Sequence, residues 1–535
     1  MKRALTLFVI LIAGSVASAQ EFDKAVKEFR EAVVAMSESG VRSAAEAIVK
    51  SDNRDAVDAL LDGYGICAAQ IRQLWGEKLK WMKEVERYKN FQVDWSKNPP
   101  IVEAGDVAEY KKWQEASQQS VQVEKKIMSV EAVKAEIVAA LGKFRSETAL
   151  KELISKFKND SNWGRRAGVA EALGKIATAE CVAVLVERLK GDSETGVKVA
   201  ILDALKSAGA KTPEVIAAVC EQLKSDYWQV KSTAAATLRA LGPKEAIESL
   251  IESLKGVDGR LKEDINDALV SLAGVNKHGD HAAWKAWWDG AKEQVKGGTF
   301  KPAPGEGAGQ DGKAQGTTFY GVPVKSKNVV FVLDRSGSMA EPSEWELPPD
   351  VASGGAGDNS DLKPEGKRKI DIARWQLRRC VKQLPNGTDF NIVYFSHDWT
   401  VMSEKMVTMS DSMRKTALAF VEKLEPQGGT NIFDPMEKAF AFSGGADKVL
   451  KGSVDTIFLM TDGLPNSGQV PAWQDIVKKI KDMNKTKKIT INTIGTFSSG
   501  ANPEEGAKFL DQLATENNGV FTSAMKGGAA KKDKK

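Results

Sequence analysis

The sequence predicts two architectures in one chain, an all-α part built of paired helices followed by an α/β doubly wound domain. Three observations carry this. Leu141, Leu173, Leu205, Leu238 and Leu269 recur at steps of 32, 32, 33 and 31 residues, each inside an Ala-rich amphipathic segment. Residues 295–317 are rich in Gly and Pro and nearly free of large apolar side chains, which marks a linker. Beyond them, short β-branched and aromatic runs alternate with amphipathic helices, the pattern of a parallel sheet with helices on both faces.

Length and composition allow two or three domains. The chain has 535 residues, 42% hydrophobic and 28% charged, values of ordinary globular proteins that exclude a fibrous or wholly disordered chain. Residues 1–19 combine Lys2 and Arg3, a short apolar run and Ala17-Ser18-Ala19, so a signal peptide cleaved after Ala19 is expected, with export to a secreted or periplasmic location. The run is too short to span a bilayer comfortably. The formal charge is +4, and losing Lys2 and Arg3 gives 4 − 2 = +2, too balanced to argue for nucleic acid. Cys67, Cys181, Cys220 and Cys380 fall at no metal-binding spacing and are expected to be free thiols, with Cys181 and Cys220 as small core residues.

Residues 20–129 read as a helical N-terminal region. Phe22, Val26, Phe29 and Val33 follow helical spacing, and 71–88 and 110–130 suggest a hairpin of long helices broken at Asn98-Pro99-Pro100. Residues 130–294 hold the repeats. Val133-Lys134, Arg165-Arg166, Val197-Lys198, Val230-Lys231 and Leu261-Lys262 are each expected to open a helix, and a second helix follows in each unit. Paired helices at this period resemble HEAT-type repeats, stacked as an α-solenoid in which neighbours bury one another's apolar faces. Trp284, Trp287 and Trp288 are suited to cap its end.

After the linker, residues 318–524 form the predicted sheet domain, and 525–535 a basic tail. Residues 329–333 are an apolar run that ends at Asp334, followed by Ser336 and Ser338. A buried strand that stops at an acid delivers its loop to the strand's carboxyl end. One carboxylate and two hydroxyls at spacing two suit a hard divalent cation, which prefers oxygen donors. Gly428-Gly429-Thr430 offers a third hydroxyl from a Gly-shaped loop, and a second buried strand is expected over 454–460, ending in Thr461-Asp462-Gly463. Together these segments resemble the von Willebrand factor A-type domain with its metal-ion-dependent adhesion site. The resemblance implies a Rossmann-like fold and a metal held by Asp334, Ser336, Ser338, Thr430 and Asp462, with the hydroxyls coordinating directly and the acids acting through water. The implied cation is Mg2+, with Mn2+ or Ca2+ as alternatives. The implied partner is a protein presenting an Asp or Glu to an open coordination position. Arg335 is expected either to face an acidic partner or to be solvated, and residues 341–369 form a long insertion beside the loop.

Enzyme readings lack their parts. His278, His281 and His397 are the only histidines, with no H-E-x-x-H and no phosphate-binding loop. Asp280 between the first two reads as a helix cap, and His397-Asp398 follows a strand with no nucleophile motif. The favoured reading is an exported, non-enzymatic binding module on a helical-repeat scaffold. The alternatives are a structural scaffold whose repeats do the binding, or an accessory subunit of an extracytoplasmic enzyme.

Overall fold

The computed structural model describes residues 19–88, 93–94, 101–301, 317–344, 364–443, 454–497 and 503–524. The expected signal peptide (apart from Ala19), basic tail and most of the linker and insertion lie outside them. A helical part of paired repeats is followed by an α/β sheet domain. The chain divides into two compact units, 1–83 with 122–222 and 240–243, and 84–121 with 223–239 and 244–535.

Helices α1 (19–34), α2 (Glu38–Val49), α3 (Arg54–Arg87) and α4 (Val107–Leu141) form the N-terminal region. In the first unit a Cβ on Gly63 of α3 would lie 2.4 Å from the Phe29 ring of α1, so only glycine allows that approach. The long α3 and α4 are tied by Lys78 and Glu124, paired at 2.9 Å with both side chains fully buried. Val133-Lys134 does not open a helix, contrary to the sequence reading; it lies in the last turns of α4. The Ser129 hydroxyl bonds back to Lys125 O at 3.0 Å within the same helix and caps nothing, so the helix runs on through 129/130.

The repeats follow as α5 (Glu147–Asn159), α6 (Trp163–Ile176), α7 (Ala179–Gly191), α8 (Thr195–Ala208), α9 (Pro213–Gln222), α10 (Trp228–Leu241), α11 (Ile247–Ser253), α12 (Gly259–Ala273) and α13 (His281–Lys296). Local sequence sets their ends. Ser146, Asn162, Thr178 and Asp280 accept backbone N–H bonds as N-caps, and Gly209 and Gly274 close α8 and α12 in left-handed geometry. All five repeat leucines are 0% exposed, Leu141, Leu173 and Leu205 in the core of the first unit and Leu238 and Leu269 in that of the second. Arg166 forks onto Asp192 at 2.9 and 3.1 Å, a buried bidentate pair within the first unit. Cys181 is buried, but Cys220 is only half-buried and so is no core residue.

The sheet has the order β11-β10-β9-β5-β6-β7, with β8 also on β6. Its strands are β5 (Asn328–Asp334), β6 (Asp389–Phe395), β7 (Trp399–Val401), β8 (Val407–Thr408), β9 (Thr456–Thr461), β10 (Thr490–Gly495) and β11 (Phe521–Ser523). All neighbours are parallel except β7 and β8. Helices α14 (Lys369–Gln383), α15 (Asp411–Val421), α16 (Phe433–Ala441), α17 (Trp473–Lys487) and α18 (Pro503–Glu516) connect them. Strands β5 and β9 are buried along almost their whole length, which is why both read as unbroken apolar runs. The chain leaves β5 towards β6 on one side and returns to β9 on the other. The carboxyl ends of β5 and β9 therefore flank the switch point, where open α/β sheets place their ligand sites.

Two short hairpins complete the described elements, β1 (Val93–Asp94) with β2 (Ile101–Val102), and β3 (Thr318–Phe319) with β4 (Val322–Pro323). The second unit joins the last repeat helices to the sheet domain. Arg260 of α12 donates to Asp455 O at 2.9 Å and to Lys488 O, and lies 5.0 Å over the Trp228 ring. Lys325 pairs with Glu263 at 2.6 Å, and Lys327 with Asp258 at 2.5 Å.

Candidate metal centre

Strand β5 ends at Asp334, whose side chain is 0% exposed. Its Oδ1 accepts the Ser336 N–H at 2.6 Å and its Oδ2 accepts the Thr461 hydroxyl at 2.6 Å, across the β5–β9 seam. Ser336 Oγ lies 3.1 Å from Ser338 Oγ, and the Ser338 hydroxyl donates to Asp462 Oδ1 at 2.8 Å. One chain of hydrogen bonds thus links Asp462, Ser338, Ser336 and, through the Ser336 backbone, Asp334. A 3-10 turn over Gly337–Ala340 folds the loop back on itself.

Thr430 comes from a separate loop that is fastened on both sides. Gly337 N–H donates to Gly428 O at 2.9 Å, and Gln427 N–H to Arg335 O at 2.6 Å, so the Thr430 loop lies against the serine loop. Asn466 grips Thr430 itself, accepting its N–H at 2.8 Å and donating its own N–H to Thr430 O at 2.9 Å. Gly428 has φ +69°, and a Cβ there would fall 2.1 Å from His397 Nδ1, so both backbone and space demand glycine. Burial lowers the His397 pKa against the pull of Asp398, which favours a neutral ring. The Trp113 ring of α4 meets the His397 ring edge-on at 6.3 Å, which brings the start of α4 to the rim of the site.

The sequence reading of Arg335 needs correction. Its side chain neither faces outward to a partner nor floats in solvent; it is 15% exposed and pairs with Asp398 at 3.3 Å. Pairing of β5 with β6 brings these residues together. The expected cap at Asp280 is present, accepting Ala283 N–H at 2.7 Å. Among the described residues no group of three or more His, Cys, Asp or Glu gathers that could hold a metal.

Sequence reasoning missed Thr461, Asn466 and Lys369. Lys369, the first residue of α14, is 1% exposed, with Nζ 2.7 Å from Asp462 Oδ2 and 2.8 Å from Glu341 Oε2. It stands in the run Lys367-Arg368-Lys369, which reads as an ordinary solvated charge cluster.

Does this donor set fit a divalent cation? Burial first, and then the charge of Asp462, push the Asp334 carboxyl up to about 7; hydrogen bonds from Thr461 and Ser336 only partly offset this. Lys369 pairs with Asp462, while the Asp334 carboxyl is met by the Ser336 N–H and the Thr461 hydroxyl, so the pocket sets two buried acids against one ammonium. The other side chains offered are hydroxyls. A hard cation with oxygen ligands matches both the charge and the chemistry.

The same carboxyl gives a pH prediction. Its native pKa lies above the unfolded value near 4, so the native state holds a proton that the unfolded chain has released. The associated stability is fully present below about pH 4 and is lost as pH rises through about 7. With chelator present, the denaturation midpoint of the wild type should fall between pH 5 and pH 8, and that of Asp334→Asn should fall less. Equal slopes for the two proteins would contradict it.

Residues 365–522 match the family model of the von Willebrand factor type A domain, and residues 129–206 and 182–270 match that of HEAT repeats. The first match begins beyond β5 and so does not take in Asp334, Ser336 or Ser338. Inter-alpha-trypsin inhibitor heavy chain H4 of Homo sapiens is 29% identical over 203 residues, 37% of this chain and 18% of the relative. Heavy chain H2 of Mus musculus is 25% identical over 198 residues, 36% of this chain and 17% of the relative. The chain thus spans less than a fifth of the length of these curated relatives. Among solved structures, the von Willebrand factor type A protein from Catenulispora acidiphila aligns at 17% identity and TM-score 0.26, over 37% of this chain and 39% of that one. Proximal thread matrix protein 1 from the mussel byssus, with a zinc-occupied MIDAS motif, aligns at 14% identity and TM-score 0.24, over 53% and 59%.

Proposed function

We propose that this chain is an exported, non-enzymatic binding protein that takes an acidic partner through a divalent cation in its sheet domain, with the helical repeats as scaffold. The observation that carries the reading is the hydrogen-bonded convergence of Asp334, Ser336, Ser338 and Asp462 at the switch point of the sheet. Ser336, Ser338 and Thr430 would hold the cation, while Asp334 and Asp462 balance its charge and orient water. A bound cation, Mg2+ in first place with Mn2+ or Ca2+ as alternatives, supplies an open position for an Asp or Glu of the partner. The protein's own contribution is rigidity. Thr461 fixes one oxygen of Asp334, Asn466 fixes the Thr430 backbone, and Gly428 lets the two loops close together. The domain limits proposed are those read from sequence, with the sheet domain over 318–524 and the repeats over 130–294.

Export rests on the residues preceding Gln20. Among the described residues no helix is long and apolar enough to cross a membrane. The test is capture from an extracytoplasmic protein fraction on the immobilised mature chain, with magnesium or with chelator, beside Asp334→Ala. Retention of a partner only by wild type with magnesium is the expected result. A partner held equally under all conditions would point to the repeats as the binding surface.

A further inference from the structure

Lys369 occupies an unusual place for a lysine. Its side chain is 1% exposed, and its two partners are Asp462, one of the carboxylates assigned to the cation, and Glu341, at the stem of the insertion. Its backbone is equally fixed. Lys369 N–H donates to Glu341 O at 2.9 Å, and Ser343 N–H to Lys367 O at 2.7 Å, so the two stems of the insertion are zipped together. The ammonium is therefore delivered by paired backbone to one oxygen of Asp462, while Ser338 takes the other at 2.8 Å. Burial works against a charged lysine here, and the charges of Asp462 and Glu341 more than compensate.

We propose that Lys369 is a tethered counter-cation that sets the metal affinity of the site by competing for Asp462. The inference rests on the metal-binding reading above and deepens it. In metal-free protein the ammonium partly neutralises the pocket and keeps Asp462 in place, which stabilises the fold without a ligand. A divalent cation arriving beside Asp462 meets a fixed like charge a few ångströms away, in a pocket where water screens poorly. Affinity is thereby held down. Lys369 is a positioning residue for the metal-free state and an antagonist of the loaded one.

The two roles that a buried lysine could play here predict opposite signs. If Lys369 only braced Asp462, removing it would loosen a ligand and weaken metal binding. If it competes, removing its charge tightens binding. The experiment is calorimetric titration of magnesium chloride into the chelator-treated full chain, for wild type, Lys369→Met, Lys369→Gln and Lys369→Arg. Methionine keeps most of the buried stem and drops the charge, glutamine keeps a hydrogen-bond donor for Asp462, and arginine keeps the charge. Expected are magnesium affinities about tenfold or more above wild type for the two neutral variants, and within about threefold of wild type for Lys369→Arg. Thermal melts should show both neutral variants less stable than wild type in chelator and gaining more from magnesium. If Lys369→Met does not fold in chelator, folding on addition of magnesium supports the proposal, and Lys369→Gln supplies the affinity. Neutral variants that bind magnesium no tighter than a wild type that does bind would overturn it. Absence of magnesium binding in all four proteins would overturn the metal reading itself.

Discussion

Replacing Arg260 with alanine is expected to cost the second compact unit about 3 kcal/mol, within the range seen when one partner of a buried charged network is removed. The guanidinium binds two carbonyls, of Asp455 and Lys488, at the amino-terminal approach to β9 and β10. Truncation strands both oxygens, each at about 1–3 kcal/mol if no water reaches it. It also removes packing over Trp228 and the pair with Asp264 at 3.4 Å. Asp455 loses its countercharge as well. Burial holds its carboxyl above the usual range, and Arg260 is the first influence pulling it back. Since 1.4 kcal/mol is a factor of ten, amide exchange in β9 and β10 should quicken about a hundredfold. A change of less than about twofold would show that the joint between the last repeats and the sheet contributes little.

That joint also shows where the sequence falls silent. The Gly/Pro-rich stretch 295–317 marks a change of composition, but composition does not say where the chain goes next. Arg260 and Asp455 are 195 residues apart, and nothing local to either announces the other. Arg335 and Asp398 are a second case. A charged residue in a loop looks solvated until strand pairing delivers its partner. Lys369 is the third, a buried lysine inside a basic run. What was legible had a period or a sharp edge. The repeat leucines carry a step near 32, and β5 and β9 are apolar on both faces and end at an acid. Strands β7 and β8 are short and partly exposed, so neither alternation nor an apolar run announces them. In β3–β4 the chain reverses at Tyr320 and Gly321, with φ 49° and +79°, a turn that no hydrophobic pattern announces. The first repeat differs for another reason. Val133-Lys134 matches its counterparts in spacing, yet no cap precedes it, and a long helix absorbs it.

Thr430→Val is the substitution that goes to the heart of the account. Asn466 anchors Thr430 by its backbone N–H and carbonyl, so the side chain can change while the loop stays in place. Valine removes one hydroxyl donor at nearly constant volume. A cation that binds only the folded state adds RT ln(1 + [L]/Kd) to stability, so loss of a ligand should appear both as affinity and as melting temperature. Calorimetry with magnesium on the chelator-treated full chain should show wild-type binding at millimolar concentration or tighter, and binding about tenfold or more weaker in Thr430→Val. Melting temperatures without metal should be close, with magnesium raising the wild type more than the variant. Equal magnesium affinities and equal thermal shifts, or no magnesium binding by the wild type at millimolar concentration, would contradict the claim that these loops form a metal centre.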